Sequence, residues 1–146
     1  MEGLKFRAWH KEQKRYLPVD VLDFVDEVIY VYELGDEGYH NDALYNFSSV
    51  TVEQFTGRKD KNGKEIYEGD IVEVPTIDEI GNVDLETLIY QKIVYEETMF
   101  LCKEVNQTKM ASEGGGGASL MCFFVDGLNE IKVIGNIHEN PELLDK

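Results

Sequence analysis

The sequence predicts a mainly β protein: a compact SH3-like or related small β-barrel core with an N-terminal hairpin and one or two short helices. Three observations point there. Apolar residues fall mostly at alternate positions or in short runs bounded by Gly, Asn, Asp and Pro, which is the pattern of strands joined by turns. Lys61-Asn62-Gly63-Lys64 is a strong hairpin signal, because Asn and Gly both tolerate the positive φ of a type I′ turn. Glu68-Gly69-Asp70 then leads into Ile71-Val72-Glu73-Val74, with glycine allowing a tight turn or bulge and Asp70 placed to bond nearby backbone amides. At 146 residues the chain is expected to form one domain over 1–146, with 1–50 as an N-terminal subregion and 51–146 as the barrel-like core.

In chain order, Leu4-Lys5-Phe6-Arg7-Ala8-Trp9 alternates apolar and charged residues as a strand does, with Trp9 covering a core edge. The polar stretch from His10 to Arg15 turns the chain back into Tyr16-Leu17-Pro18-Val19, giving the N-terminal hairpin. Val21, Leu22, Val25, Val28 and Ile29 recur at helical spacing, with Asp20, Asp23, Asp26 and Glu27 toward the other face, so a helix is expected over Val19–Ile29. A strand is the competing reading, because Val28 to Tyr32 is β-branched and aromatic. Gly35 to Asp42 reads as a loop. Ser48 to Phe55 is expected as a strand leading into the hairpin.

Beyond the hairpin, Asp78 to Glu86 reads as an acidic loop, and Leu88 to Tyr95 as a tyrosine-rich strand. Phe100-Leu101-Cys102 closes a further strand. Asn106 to Gly117, containing Gly114-Gly115-Gly116-Gly117, has the composition of a flexible loop. Leu120 to Val125 fits a strand buried on both faces, Asp126-Gly127 a turn, and Ile131 to Ile134 the last strand. Asn140-Pro141-Glu142-Leu143-Leu144 reads as a short helical turn with proline at its first position.

Charge narrows the function classes. The formal net charge is -15, and it is unevenly spread. Residues 18–57 hold nine acids and neither Lys nor Arg, whereas residues 58–64 hold Arg58, Lys59, Lys61 and Lys64 against Asp60 alone. Such a surface repels phosphate at long range, so direct nucleic-acid binding is disfavoured. Acidic solubility is the plain reading, and an acidic face for a basic partner the sharper one. No apolar run approaches the ~20 residues that span a bilayer, and the N-terminus lacks the apolar stretch of a secretory signal. A cytosolic setting is therefore expected, with Cys102 and Cys122 as free thiols in a reducing compartment. Pairing of the segments flanking the glycine run would nevertheless make these cysteines cross-strand neighbours.

Little in the sequence carries chemistry. His10, His40 and His138 have no metal-ligand spacing and read as single surface histidines, and two cysteines cannot make a four-thiolate zinc site. Glu65, Glu68 and Asp70 form the most suggestive carboxylate cluster, and the acidic loop adds oxygens for a magnesium site. The competing reading is that Asp70 caps the Gly69 turn while both glutamates are solvated. No Gly-x-Ser-x-Gly elbow occurs, and the glycine run lacks the Gly-Lys-Ser/Thr of a phosphate loop. Arg7 and Trp9 near the start, and Arg58, Lys59 and Lys61 on the hairpin, are the candidate partner-binding residues. Asn62, Gly63, Gly69 and Asp70 are the candidate structural motif.

The stretch Thr56-Gly57-Arg58-Lys59-Asp60-Lys61-Asn62-Gly63-Lys64-Glu65-Ile66-Tyr67-Glu68-Gly69-Asp70-Ile71-Val72 resembles the YopX family of bacteriophage and prophage proteins. So do Phe6-Arg7-Ala8-Trp9 and the closing segment from Ile134 to Leu144. Trp9-His10 stands where that family usually shows Trp-Asp, which removes a carboxylate near the start. The resemblance implies a mainly β accessory protein of phage or prophage, without catalytic residues to carry over. Three functions are weighed: a non-enzymatic, self-associating interaction protein without cofactors; an acidic nucleic-acid mimic that inhibits a host DNA-binding protein; and a carboxylate-metal enzyme. Expected partners are a second copy of the chain or a host or phage protein, with no membrane involved.

Overall fold

A computed structural model describes residues 4–34, 40–77, 80, 82–96, 99–104 and 130–145. The chain is mainly β with few helical turns, as expected, and divides into two compact units, Met1–Phe55 and Thr56–Lys146. In the first unit lie β1 (Phe6–His10), β2 (Arg15–Pro18), β3 (Val21–Asp23), β4 (Val28–Leu34), β5 (His40–Asn46) and the first half of β6 (Val50–Lys59). β1 pairs antiparallel with β2 on one edge, forming the expected N-terminal hairpin, and with β6 on the other. β3, β4 and β5 form a three-stranded antiparallel sheet.

Alternation assigns the faces of this unit. Ala8 and Leu17 are cross-strand partners, and both are buried with Ile29, Val31 and Val50. Val19, Leu22, Ala43, Tyr45, Phe47 and Val52 pack around them. Each fully buried aliphatic side chain here contributes about 1.5–3 kcal/mol relative to an exposed one.

The helix expected over Val19–Ile29 is not formed; the segment is the β3–β4 hairpin. The Asp23 carboxylate accepts the N–H of Val25 (2.9 Å) and of Asp26 (3.1 Å), and Glu27 sits at φ +54°. That local turn captures backbone donors which a helix would need, and it leaves Phe24 and Val25 exposed. The expected loop over Gly35–Asp42 also ends early, because His40–Asp42 already pair with β4 as part of β5. β4 presents Ile29 and Val31 to the core and Tyr30 and Tyr32 outward, a period of two rather than 3.6.

The second unit holds the rest of β6, β7 (Glu65–Tyr67), β8 (Asp70–Ile77), β9 (Val83–Glu96), β10 (Met99–Glu104) and β11 (Lys132–Asn136). β8 to β11 form an antiparallel sheet in the order β10-β9-β8-β11. Its core gathers Ile66, Val72, Val74, Ile93, Cys102 and Val133. Ile71 and Val72 are both fully buried, so β8 is covered on both faces. β11 pairs only with Asp70–Glu73, so Pro75 lies past its end, where a missing N–H removes no bond on that side.

β9 begins inside the expected acidic loop, since Val83 and Asp84 pair with Ile77 and Thr76. Extending the ladder satisfies backbone groups that a loop would leave to water. Pro141–Asp145 is a 3₁₀ turn led by proline, as expected. The glycine-rich loop, the apolar run Leu120–Val125 and the turn at Asp126-Gly127 lie outside the described residues. Cys102 is disulfide-bonded rather than free, which corrects the expectation drawn from compartment. No other cysteine is among the described residues, so its partner, like Cys122, lies outside them. Whether two sulfurs meet is a matter of tertiary geometry, which compartment does not report.

Candidate interaction surface

Several polar side chains that carry candidate chemistry hold turns. His10 is buried, not a surface histidine, and its Nδ1 accepts the N–H of Glu12 (3.3 Å) and Gln13 (3.2 Å). Asp23 performs the same task one hairpin later, and Asn136 Oδ1 accepts the N–H of His138 (3.0 Å) and Glu139 (2.9 Å). Each is an acceptor reaching the amides two and three residues ahead, which releases the backbone from repeating structure. Buried Asp70 accepts the N–H of Tyr67 through Oδ2 (2.8 Å), across a turn in which Gly69 has φ +80°.

Asp60, which the sequence reading passed over, anchors the Lys61-Asn62-Gly63 loop. Its Oδ1 accepts the N–H of Asn62 (2.8 Å) and Lys64 (2.9 Å), and its Oδ2 the N–H of Val133 on β11 (3.0 Å). Burial pushes this carboxyl up, but three backbone donors and the Lys64 charge outweigh it and hold it below the usual carboxylate range. The loop is not the expected type I′ turn. Gly63 has φ +81° and donates its N–H to the Asp60 carbonyl (2.9 Å), whereas Asn62 keeps a negative φ. An anchored three-residue loop therefore replaces the two-residue one.

Arg7 and Trp9, candidates for partner binding, are built into the first unit. Glu53 is 1% exposed; its Oε2 accepts from Arg7 Nε (2.7 Å) and from the Tyr16 hydroxyl (3.1 Å). The Arg7 guanidinium lies 4.3 Å from the Tyr16 ring centroid, and Trp9, 5% exposed, packs edge-on to the same ring at 5.0 Å. A buried carboxylate needs such partners, because desolvation without them costs several kcal/mol. Opposite-charge pairing across β1 and β6 was within reach of the sequence, but only with their register known.

Among the described residues, two exposed surfaces carry contrasting chemistry. Arg58, Lys59, Lys61 and Lys64 all face solvent on the β6–β7 hairpin, with Lys61 3.6 Å from Glu130. On the outer face of the β3-β4-β5 sheet, Val21 (46% exposed), Tyr30 (37%) and Leu44 (54%) form one cross-strand row, with Tyr32 (49%) beside it. A concavity of about 200 Å³ is lined by Val21, Tyr30, Val31 and Tyr32. This face lies wholly within residues 18–57, which contain no positive side chain.

Glu65 accepts from the Tyr67 hydroxyl (2.9 Å), while the oxygen Asp70 offers goes to the backbone, so different donors occupy these carboxylates. Among the described residues no three His, Cys, Asp or Glu side chains converge as a metal site, and no helix is long and apolar enough to cross a membrane.

This is a mainly β protein in which buried or half-buried acceptors hold several turns, and among the described residues a basic hairpin and an apolar, acid-flanked sheet face are exposed. The YopX protein family model matches residues 5–145, and the chain belongs to that family. Among solved structures it is similar to protein EF1440 from Enterococcus faecalis, at 27% identity and TM-score 0.56, over 97% of this chain and 98% of that one. No curated protein matches it.

Proposed function

We propose that the protein is a non-enzymatic interaction protein that self-associates, an accessory protein of phage or prophage working in the host cytosol. The observation that carries this reading is the coexistence of opposite surfaces on one chain: an apolar sheet face set among acids, and an exposed hairpin of four positive side chains. Chains that supply both signs are suited to homo-oligomers. Exposed tyrosines add contact area at low conformational cost. The employment of His10, Asp60 and Asp70 in turns supports a reading without catalysis. Sedimentation velocity across a hundredfold concentration range tests it: mass is expected to rise with concentration, and a constant monomer mass overturns it.

The nucleic-acid mimic is kept as a second reading because residues 18–57 carry nine acids without one Lys or Arg. It predicts capture from lysate of one basic protein, insensitive to nuclease and released by salt. Recovery of the chain's own copies alone rejects it.

A further inference from the structure

We propose that the outer face of the β3-β4-β5 sheet is the docking site for the Arg58–Lys64 hairpin of a second copy of this chain, an inference that rests on the self-association reading above. The face offers what a cationic hairpin recognises. Tyr30 and Tyr32 present half-exposed aromatic rings, Val21 and Leu44 extend the apolar row, and the concavity between Val21 and Tyr32 gives a side chain somewhere to sit. Exposed Asp20, Asp26 and Glu27 flank it on the same hairpin. Lysine and arginine bind such a surface in two ways at once: the charge meets ring faces and carboxylates, while the aliphatic stem covers apolar area. The chain already uses this chemistry internally, with Arg7 4.3 Å from the Tyr16 centroid and Lys5 5.9 Å from that of Phe55.

Charge selects the hairpin over the other occupants within the chain. Two copies of the sheet face meeting directly would bring acids against acids, because residues 18–57 hold no cation. The N-terminal positive side chains are largely committed: Arg7 to Glu53, Lys11 to the Ser48 carbonyl (2.9 Å) and Arg15 to Gln13 (2.8 Å). Lys59 and Lys64, by contrast, are exposed and make no side-chain hydrogen bond or ion pair among the described residues, although the Lys64 charge also acts on Asp60. The hairpin is also pre-shaped. Asp60 ties both its loop amides and β11 together, so little ordering entropy is lost when it docks.

The test is complementation between two damaged copies. One variant carries Tyr30→Gln and Leu44→Gln, the other Lys59→Glu and Lys64→Glu, and a control carries Lys11→Glu and Lys14→Glu at the other basic segment. All are checked for folding by circular dichroism. The full chain is then weighed by sedimentation velocity at low and high salt. Each of the first two variants is expected to associate about tenfold or more weakly than the parent, and the control to match it. Mixing the two damaged variants restores one intact contact, so a mixed dimer forms where neither variant dimerises alone. A parent that stays monomeric removes both the inference and the reading beneath it. A parent that associates while the variants do so equally well, or variants that stay monomeric when mixed, overturns this docking alone. A control that weakens as much as the hairpin variant overturns it too, because net charge then explains the effect.

Discussion

Replacing Asp60 by alanine deletes one carboxylate and leaves three backbone donors without their acceptor: Asn62 and Lys64 in the loop, and Val133 on β11. These donors differ in what can replace it. Val133 is buried, so its N–H stays unsatisfied, at a cost of about 1–3 kcal/mol. Asn62 and Lys64 are exposed and turn to water, so each loses only the net value of a solvent-exposed hydrogen bond, about 0.5–1.5 kcal/mol. The sum is about 2–6 kcal/mol, a large share of the ~5–15 kcal/mol that holds a domain together. In urea melts followed by circular dichroism the midpoint should fall by about 1–3 M at an m-value near ~2 kcal/mol/M. Because the folded carboxyl lies below its ordinary range, this stabilisation is fully present above the unfolded pKa and is lost as pH falls through the folded one. The gap between parent and variant should therefore be constant near neutrality and narrow below about pH 4. Amide exchange should accelerate at Val133, Asn62 and Lys64 before it does in the β8–β9 ladder. A gap under ~1 kcal/mol, or one unchanged at pH 3, would refute the claim that this carboxylate staples the hairpin to β11.

Three further outcomes are expected. Glu53→Ala removes the buried carboxylate that Arg7 and the Tyr16 hydroxyl both donate to, and should cost about 1–3 kcal/mol with a shift in Trp9 emission; a double-mutant cycle with Arg7→Ala measures the coupling. Gly135→Ala places a methyl 2.5 Å from Asn140 Oδ1, so Asn140 must release the Asn136 N–H, and thermal melts should show about 1–2 kcal/mol of destabilisation. Asp70→Asn should lower the melting temperature equally with and without magnesium, because Asp70 accepts from Tyr67 N–H; a loss seen only with magnesium would restore the metal reading.

Much of the second unit was legible because its signals are local. Short apolar and β-prone runs marked β8, β10 and β11, glycine before aspartate marked the turn into β8, and proline marked the closing 3₁₀ turn. The first unit was harder for a reason visible in Val19–Ile29: short apolar spacing satisfies a helical and a strand period together, and Asp23 decides between them only by capturing two amides. Asp60 was overlooked because an aspartate before Lys-Asn-Gly reads as solvated charge. Its importance comes from Val133, 73 residues away.

The β class, the hairpins at His10–Arg15 and Lys61–Lys64 and the separation of acidic from basic segments were written in the sequence, since composition, periodicity and turn chemistry act over a few residues, and three motifs carried the family resemblance. Tertiary structure alone decided that Arg7 pairs with Glu53 and Trp9 is buried, that Cys102 is bonded, and that Tyr30, Tyr32 and Leu44 share an exposed face. Those outcomes depend on strand register, which sets the neighbours of each side chain, and register is established by contacts between residues far apart in the chain.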